Sequence, residues 1–247
     1  MTTRSRVGLL VTCLVDVMRP DIGFSALKLI EHAGYDVVVP PQQTCCGQPG
    51  YNSGDTPSAR ALAAKVLREF AEFAYVVVPS GSCAGMVRKH YVDLFNDDPP
   101  LKQAALDLAS RTYELTEFLV DVAQLRTLPD GRPFQGHVTY HDSCSGLREL
   151  GVKRQPRELL SLVPGLRLTE MAGCEACCGF GGTFAVKYGE ISTAIVDEKC
   201  TNIRESGADA VVLGDLGCIL NIEGRLRRTG DERTRVVHVA QLLTGDM

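Results

Sequence analysis

Eight of the ten cysteines in this 247-residue chain form a pattern that occurs twice. Each copy has a single cysteine, then an adjacent pair followed by glycine, then another single cysteine. The two sets are Cys13, Cys45, Cys46 and Cys83, and Cys144, Cys177, Cys178 and Cys218. The intervening gaps are 31 and 36 residues in the first set and 32 and 39 in the second. Because thiolates are soft ligands, the repeat predicts two similar domains, each with a soft-metal site.

The length allows one large domain or two smaller ones, and the repeat favours two. We predict an N-terminal domain of residues 1–128 and a C-terminal domain of residues 129–247. The segment 128–136 contains several turn-forming residues and is predicted to link them.

Composition excludes several classes of protein. The apolar run at residues 7–17 is shorter than the roughly 20 residues that span a bilayer, and we find no signal peptide. We therefore expect no transmembrane segment and a reducing, cytoplasmic setting. A net charge of -4 with interspersed acids and bases gives no basic face for nucleic acid.

Apolar patterns predict alternating strands and helices in each half. The predicted strands are residues 7–15, 35–39, 75–78, 138–140, 166–169 and 210–213. The predicted helices are residues 22–33, 58–73, 115–125, 157–162, 195–206 and 239–243. This alternation predicts an α/β fold of two pseudo-symmetric repeats, each a parallel sheet flanked by helices. The cysteines follow strands, where the carboxyl ends of a parallel sheet form a ligand crevice, so distant residues can converge there.

Four thiolates can hold either a tetrahedral zinc ion or an iron–sulfur cluster. Adjacent side chains in an extended segment point apart, so a Cys-Cys pair more readily holds two irons of a larger cluster than one zinc ion. The glycine after each pair relieves crowding there. Ligand type alone leaves both metals open.

Several motifs identify a family. The chain resembles the cysteine-rich CCG-domain proteins over nearly its whole length, through residues 44–49 (TCCGQP) and 177–182 (CCGFGG). Further motifs resemble the iron–sulfur subunits of bacterial L-lactate oxidation: residues 11–16 (VTCLVD), 52–54 (NSG), 79–85 (PSGSCAG) and 140–144 (YHDSC). More distant relatives include the B subunit of heterodisulfide reductase and the iron–sulfur subunit of glycolate oxidase.

The resemblance implies a duplicated CCG domain that binds one or two 4Fe-4S clusters through the eight patterned cysteines, with zinc as an alternative in one site. It further implies an electron-transfer subunit for oxidation of lactate to pyruvate, working with other iron–sulfur subunits such as a ferredoxin-like partner. One alternative is a subunit that reduces disulfides, as heterodisulfide reductase does. Another is a zinc-bound scaffold that assembles redox subunits.

The chain departs from the family pattern at two positions. Many CCG domains end in C-x-x-C, and the extra cysteine is replaced here by Ser80 in one half and Asp215 in the other. Both are candidate oxygen ligands. His141, three residues before Cys144, is a candidate hydrogen-bond donor to a cluster or an ordinary structural histidine.

Other residues have a weaker signal. Cys174 is more often a plain loop cysteine than a spare ligand, and Cys200 lies among apolar residues of a predicted helix, where we expect core packing. The segment 179–182 lacks dinucleotide-binding spacing and is predicted to be a turn beside the metal site. Arg148 and Lys187 can pair with a carboxylate or a partner, although solvation is the simpler expectation.

Overall fold

The computed structural model describes residues 5–130 and 134–246. In this part of the chain two parallel sheets of four strands each are present, in the equivalent orders β2-β1-β3-β4 and β6-β5-β7-β8. The first sheet contains β1 (Arg6–Leu9), β2 (Asp36–Val38), β3 (Tyr75–Val78) and β4 (Thr112–Glu114). The second contains β5 (Gly136–Tyr140), β6 (Leu166–Leu168), β7 (Ala210–Leu213) and β8 (Arg235–His238). The predicted fold class is confirmed.

Helices connect the strands in the same order in both halves. The first half has α1 (Cys13–Met18), α2 (Pro20–His32), α3 (Gln48–Ser53), α4 (Thr56–Glu69), α5 (Gly81–Gly85), α6 (Tyr91–Leu94), α7 (Pro99–Ser110) and α8 (Leu115–Glu117). Two π-helical turns, Met86–His90 and Phe118–Val122, follow α5 and α8. The second half has α9 (Cys144–Leu150), α10 (Arg154–Ser161), α11 (Phe184–Lys187), α12 (Gly189–Glu205), α13 (Leu216–Arg228) and α14 (Val239–Thr244). Among the described residues, no helix is both long enough and apolar enough to cross a membrane.

Most predicted elements are present, but the first strand is shorter than expected. It ends at Leu9, and Thr12 adopts a positive φ of 77° that turns the chain into α1. The apolar run continues past the strand into α1, where Val15 is buried in the core. Composition alone therefore does not show where the strand ends. The elements that were not predicted are strands β4 and β8, the long helices α7 and α13, and the short helices α1, α3, α5, α6, α9 and α11. The proposed linker lies partly outside the described residues, and the domain boundary stays a prediction.

Two of the three buried apolar clusters among the described residues contain side chains of both halves. Helix α2 of the first half packs against α14 of the second, and the turn after α8 packs against α10. Leu29 and Phe118 thereby join Leu160 and Leu242 in a single buried cluster. These contacts hold the carboxyl ends of the two sheets in a defined relation to each other.

Two buried polar residues occupy equivalent places at the ends of the edge strands. Glu114 caps α8 and accepts hydrogen bonds from the amides of Thr116 (2.7 Å) and Glu117 (3.1 Å). His238 caps α14 and accepts from the amide of Ala240 at 3.1 Å. Burial raises the pKa of Glu114 to about 7 and lowers the pKa of His238 to about 4.

The pKa of Glu114 predicts a pH-dependent stability. The folded chain holds this proton more tightly than the unfolded chain, so the stability present below pH 4.5 is lost as the pH rises through about 7. Glu114→Gln keeps a carbonyl oxygen for the cap and removes the titration. Relative to this variant, we expect the free energy of unfolding of the wild type to fall by about 3 kcal/mol between pH 4.5 and 7. Urea unfolding at equal metal content measures it, and parallel pH profiles for the two proteins would contradict the assignment.

Candidate metal centres

Two cysteines of each set lie in helices that directly follow the central strands. Cys13 and Cys144 are the first residues of α1 and α9, which follow β1 and β5. Cys83 lies in α5 after β3, and Cys218 lies in the first turn of α13 after β7. Strand β1 pairs with β3, and β5 pairs with β7. The single cysteines of each set therefore lie close together at the carboxyl ends of the two central strands of their sheet.

A glycine follows each Cys-Cys pair, and its backbone conformation would be strained for any other residue. Gly47 and Gly179 have φ values of 86° and 84°, in the left-handed region that disfavours side chains. A Cβ on Gly179 would lie 2.6 Å from the carbonyl oxygen of Ser192. The same turn directs the glycine amides toward sulfur, with N–Sγ distances of 3.4 Å to Cys45 and 3.3 Å to Cys177.

A side-chain donor anchors the second cysteine of each pair through its carbonyl oxygen. The hydroxyl of Tyr91 donates to Cys46 at 2.8 Å, and the amide nitrogen of Asn221 donates to Cys178 at 2.8 Å. The two anchors differ in chemistry but have the same role and length. No spacing signal pointed to either residue from the sequence.

The thiols of each set lie against one another. The Sγ atoms of Cys46 and Cys83 are 3.3 Å apart, and those of Cys178 and Cys218 are 3.0 Å apart. All ten cysteines are free thiols. The eight patterned cysteines are therefore gathered into two clusters of four, at equivalent places in the two halves.

Ionisation within each cluster is uneven. A hydrogen bond from Cys13 lowers the pKa of Cys45 to about 3, and one from Cys144 lowers the pKa of Cys177 to about 2. The same contacts, together with burial, raise the pKa of both donor thiols. Each cluster thus contains one cysteine whose thiol ionises easily. The neighbouring thiols ionise only when a nearby positive charge stabilises their negative charge. This donor set suits a soft metal or a metal cluster.

The two clusters differ in exposure. Cys83 is half-buried, whereas its counterpart Cys218 is only 5% exposed. A cavity of about 200 Å³ lies beside the first cluster and touches all four of its cysteines. Its opposite wall comes from the second half and includes Phe180, Gly182 and Val186, so the turn at 179–182 adjoins the first cluster.

His141 and Lys199 distinguish the surroundings of the second cluster. The imidazole of His141 is fully buried, and burial, followed by the nearby charge of Lys199, lowers its pKa to about 3. One ring nitrogen of His141 and the sulfurs of Cys178 and Cys218 lie within 4.8 Å of one another. Lys199 is 1% exposed and donates to the carbonyl of Gly173 at 2.5 Å, a buried cation that the sequence reasoning missed.

Ser80 and Asp215, which replace the extra cysteines, contact each other across the two halves. The Ser80 hydroxyl donates to the Asp215 carboxylate at 3.1 Å. The amides of Ser82 (2.8 Å) and Gly217 (3.1 Å) also donate to this carboxylate. The oxygens proposed as ligands are thus engaged in joining the halves, and their role as ligands stays a prediction.

The remaining candidates lie outside the clusters. Cys200 is buried in the core on α12, as expected, and Cys174 is a half-buried loop residue. Burial raises the pKa of both thiols. Arg148 and Lys187 are exposed.

Comparison with known proteins gives consistent matches. The family described as "CCG: Cysteine-rich domain" matches residues 7–88 and 138–223. Lactate utilization protein A of Oceanobacillus iheyensis is 45% identical, covering 96% of this chain and 96% of its own length. The protein of the same name from Geobacillus kaustophilus is 47% identical, covering 96% and 98%.

One solved structure is similar in fold. A hypothetical protein from Helicobacter pylori matches with a TM-score of 0.67 at 12% identity, over 97% of this chain and 48% of that chain. The present chain spans about half the length of that protein, and this likeness concerns the fold alone. The family match and the full-length relatives, taken with the duplicated thiol clusters, show that this chain belongs to the lactate utilization protein A family of cysteine-rich CCG-domain proteins.

Proposed function

We propose that this chain is an iron–sulfur electron-transfer subunit for the oxidation of L-lactate to pyruvate. The observation that carries the proposal is the convergence of four thiols in each half, at equivalent sheet edges. The substrate follows from the relatives, which carry the name Lactate utilization protein A and match 96% of the chain. The ten free cysteines fit a reducing cytoplasm.

Thiol spacing supports iron–sulfur clusters of the 4Fe-4S type over single zinc ions. Four Zn–S bonds of about 2.3 Å place tetrahedral sulfurs about 3.8 Å apart, so three or four ligand atoms must lie mutually close. Among the described residues, the set of three donors within 4.8 Å contains only two thiols, Cys178 and Cys218. The thiols instead contact one another in pairs, such as Cys46 with Cys83 and Cys178 with Cys218, and this arrangement suits a larger, multi-iron group.

The protein residues prepare these sites in three ways. Cys45 and Cys177 supply thiolates at neutral pH, and the other six patterned cysteines complete the two sets. The amides of Gly47 and Gly179 donate to sulfur, which stabilises negative charge there. When bound, an iron–sulfur cluster supplies reversible one-electron storage.

The difference in exposure supports one cluster as the site of partner contact. The first cluster borders a cavity, whereas Cys178 and Cys218 of the second are buried. We place electron exchange with a ferredoxin-like iron–sulfur partner at the first cluster. The second serves as an internal store, since two of its cysteines are buried and only Cys46 is buried in the first.

The same cavity supports a second candidate function, reduction of disulfides. With about 200 Å³ and an apolar wall of Phe180 and Val186, it can admit a small thiol or disulfide next to Cys83. The replacement of the extra cysteines by Ser80 and Asp215 weighs against this alternative, because their oxygens bond each other.

Redox titration of the anaerobically purified protein tests electron transfer. We expect at least one reversible one-electron transition, with a midpoint potential near or above the lactate/pyruvate couple, so that electrons flow into the subunit. Optical and paramagnetic-resonance detection measure it. A midpoint potential far below that couple would contradict the acceptor role.

Cysteine variants assign the metal to each half. Cys46→Ser and Cys178→Ser each remove one ligand, and we expect each to lose about half of the bound iron and sulfide. Cys200→Ser is the matched control, because Cys200 is equally buried but belongs to neither cluster. Iron content and visible absorption report the result. Equal losses in the control, or full iron content in both cluster variants, would refute the assignment.

A further inference from the structure

The backbone holds His141 in a fixed place at the end of a central strand. It follows β5 directly, and its amide donates to the carbonyl of Val212 at 2.9 Å. The side chain is 0% exposed. The imidazole therefore has no access to bulk water and depends on the protein for polar partners.

Among the described residues the ring makes no hydrogen bond of good geometry, although the backbone of Cys174 lies close to it. Neither Nδ1 nor Nε2 of His141 makes a hydrogen bond, although both atoms are buried. An unpartnered buried polar group is costly, so native proteins rarely keep one without a reason. His238, the other fully buried histidine described above, has partners on both ring nitrogens.

The spacing around His141 fits a bridging metal atom. A ring nitrogen and the sulfurs of Cys178 and Cys218 lie within 4.8 Å of one another. A bond of about 2.0–2.1 Å from metal to imidazole and one of about 2.3 Å to thiolate together span about 4.4 Å. One metal atom between these groups satisfies the imidazole and both sulfurs.

The first half provides an internal comparison. Leu10 lies three residues before Cys13, as His141 lies before Cys144, and its amide donates to the carbonyl of Val77 at 3.0 Å. Leu10 is equally buried. The fold thus accepts an apolar side chain at this place, and packing does not require a histidine.

We propose that His141 is a nitrogen ligand of the metal centre in the second half, alongside Cys178 and Cys218. The metal is one that accepts both thiolate and imidazole, which zinc and the iron of a cluster both do. Imidazole is neutral, so a centre in which it replaces one thiolate carries one negative charge fewer than a centre of four thiolates. Where iron is bound, imidazole in place of thiolate raises the reduction potential. The ligation itself does not depend on the proposed electron transfer.

Cadmium provides a test that needs neither iron, sulfide nor activity. The full chain, with its native metal exchanged anaerobically for ¹¹³Cd²⁺ and its histidines labelled with ¹⁵N, is studied by NMR. We expect one cadmium resonance to be split by ¹⁵N and another to be unsplit. Splitting reports a metal–nitrogen bond, which a hydrogen bond to sulfur does not produce.

Variants assign the splitting to one residue. His141→Leu copies the first half, and we expect it to remove the splitting and to weaken cadmium binding in that half by about tenfold or more. His141→Cys supplies a thiolate instead, so cadmium stays bound without splitting, which also controls for folding. His32→Leu is the surface control, since the ring of His32 contacts Thr127 and neither cluster.

Two results would overturn the proposal. The first is wild-type protein in which no bound cadmium couples to ¹⁵N. The second is coupling that persists in both His141 variants. Either result leaves electron transfer untouched, because the redox titration concerns a different property.

Discussion

The crowding of four ionisable thiols at one place in each half is the constraint on which this structure depends. In each half four thiols are gathered at one sheet edge, with Sγ–Sγ distances as short as 3.0 Å. One of them ionises readily, as Cys45 and Cys177 show, while burial and their neighbours oppose ionisation of others such as Cys46 and Cys178. A positively charged metal or cluster removes this opposition, so metal binding and folding of these loops are coupled.

The two halves have the same backbone arrangement but differ in the side chains that surround their cysteine clusters. Both halves have the same strand order, a left-handed glycine after the cysteine pair, and a side-chain donor to the carbonyl oxygen of the pair's second cysteine. The second half adds His141 where the first has Leu10, and it buries Lys199 on α12, whereas α4 buries only apolar side chains. The bond between Ser80 and Asp215 then ties the two halves together beside their clusters. Two centres of one origin have thus acquired different surroundings.

The fold class was predictable because repeated cysteine spacing and alternating apolar segments are both local in sequence. Strands 75–78 and 210–213 were predicted with their observed bounds. Strand β4 was missed because three residues, ending in the capping Glu114, provide no periodic pattern. The first strand was predicted too long because its apolar run continues into α1.

The metal clusters were only partly predictable. Spacing grouped the eight cysteines, but it does not reveal pairwise contacts between residues far apart in the chain. The Ser80–Asp215 bond joins positions 135 residues apart and depends on how the halves pack. Likewise, the unpartnered state of His141 is a property of its surroundings, and its sequence position alone suggested only a neighbouring role.

The most direct test of the central claim is the iron, acid-labile sulfide and zinc content of the chain, purified without exposure to oxygen. Two 4Fe-4S clusters require about eight irons and about eight sulfides per chain, with little zinc. Zinc without sulfide in such protein would contradict electron transfer and favour a zinc-bound scaffold.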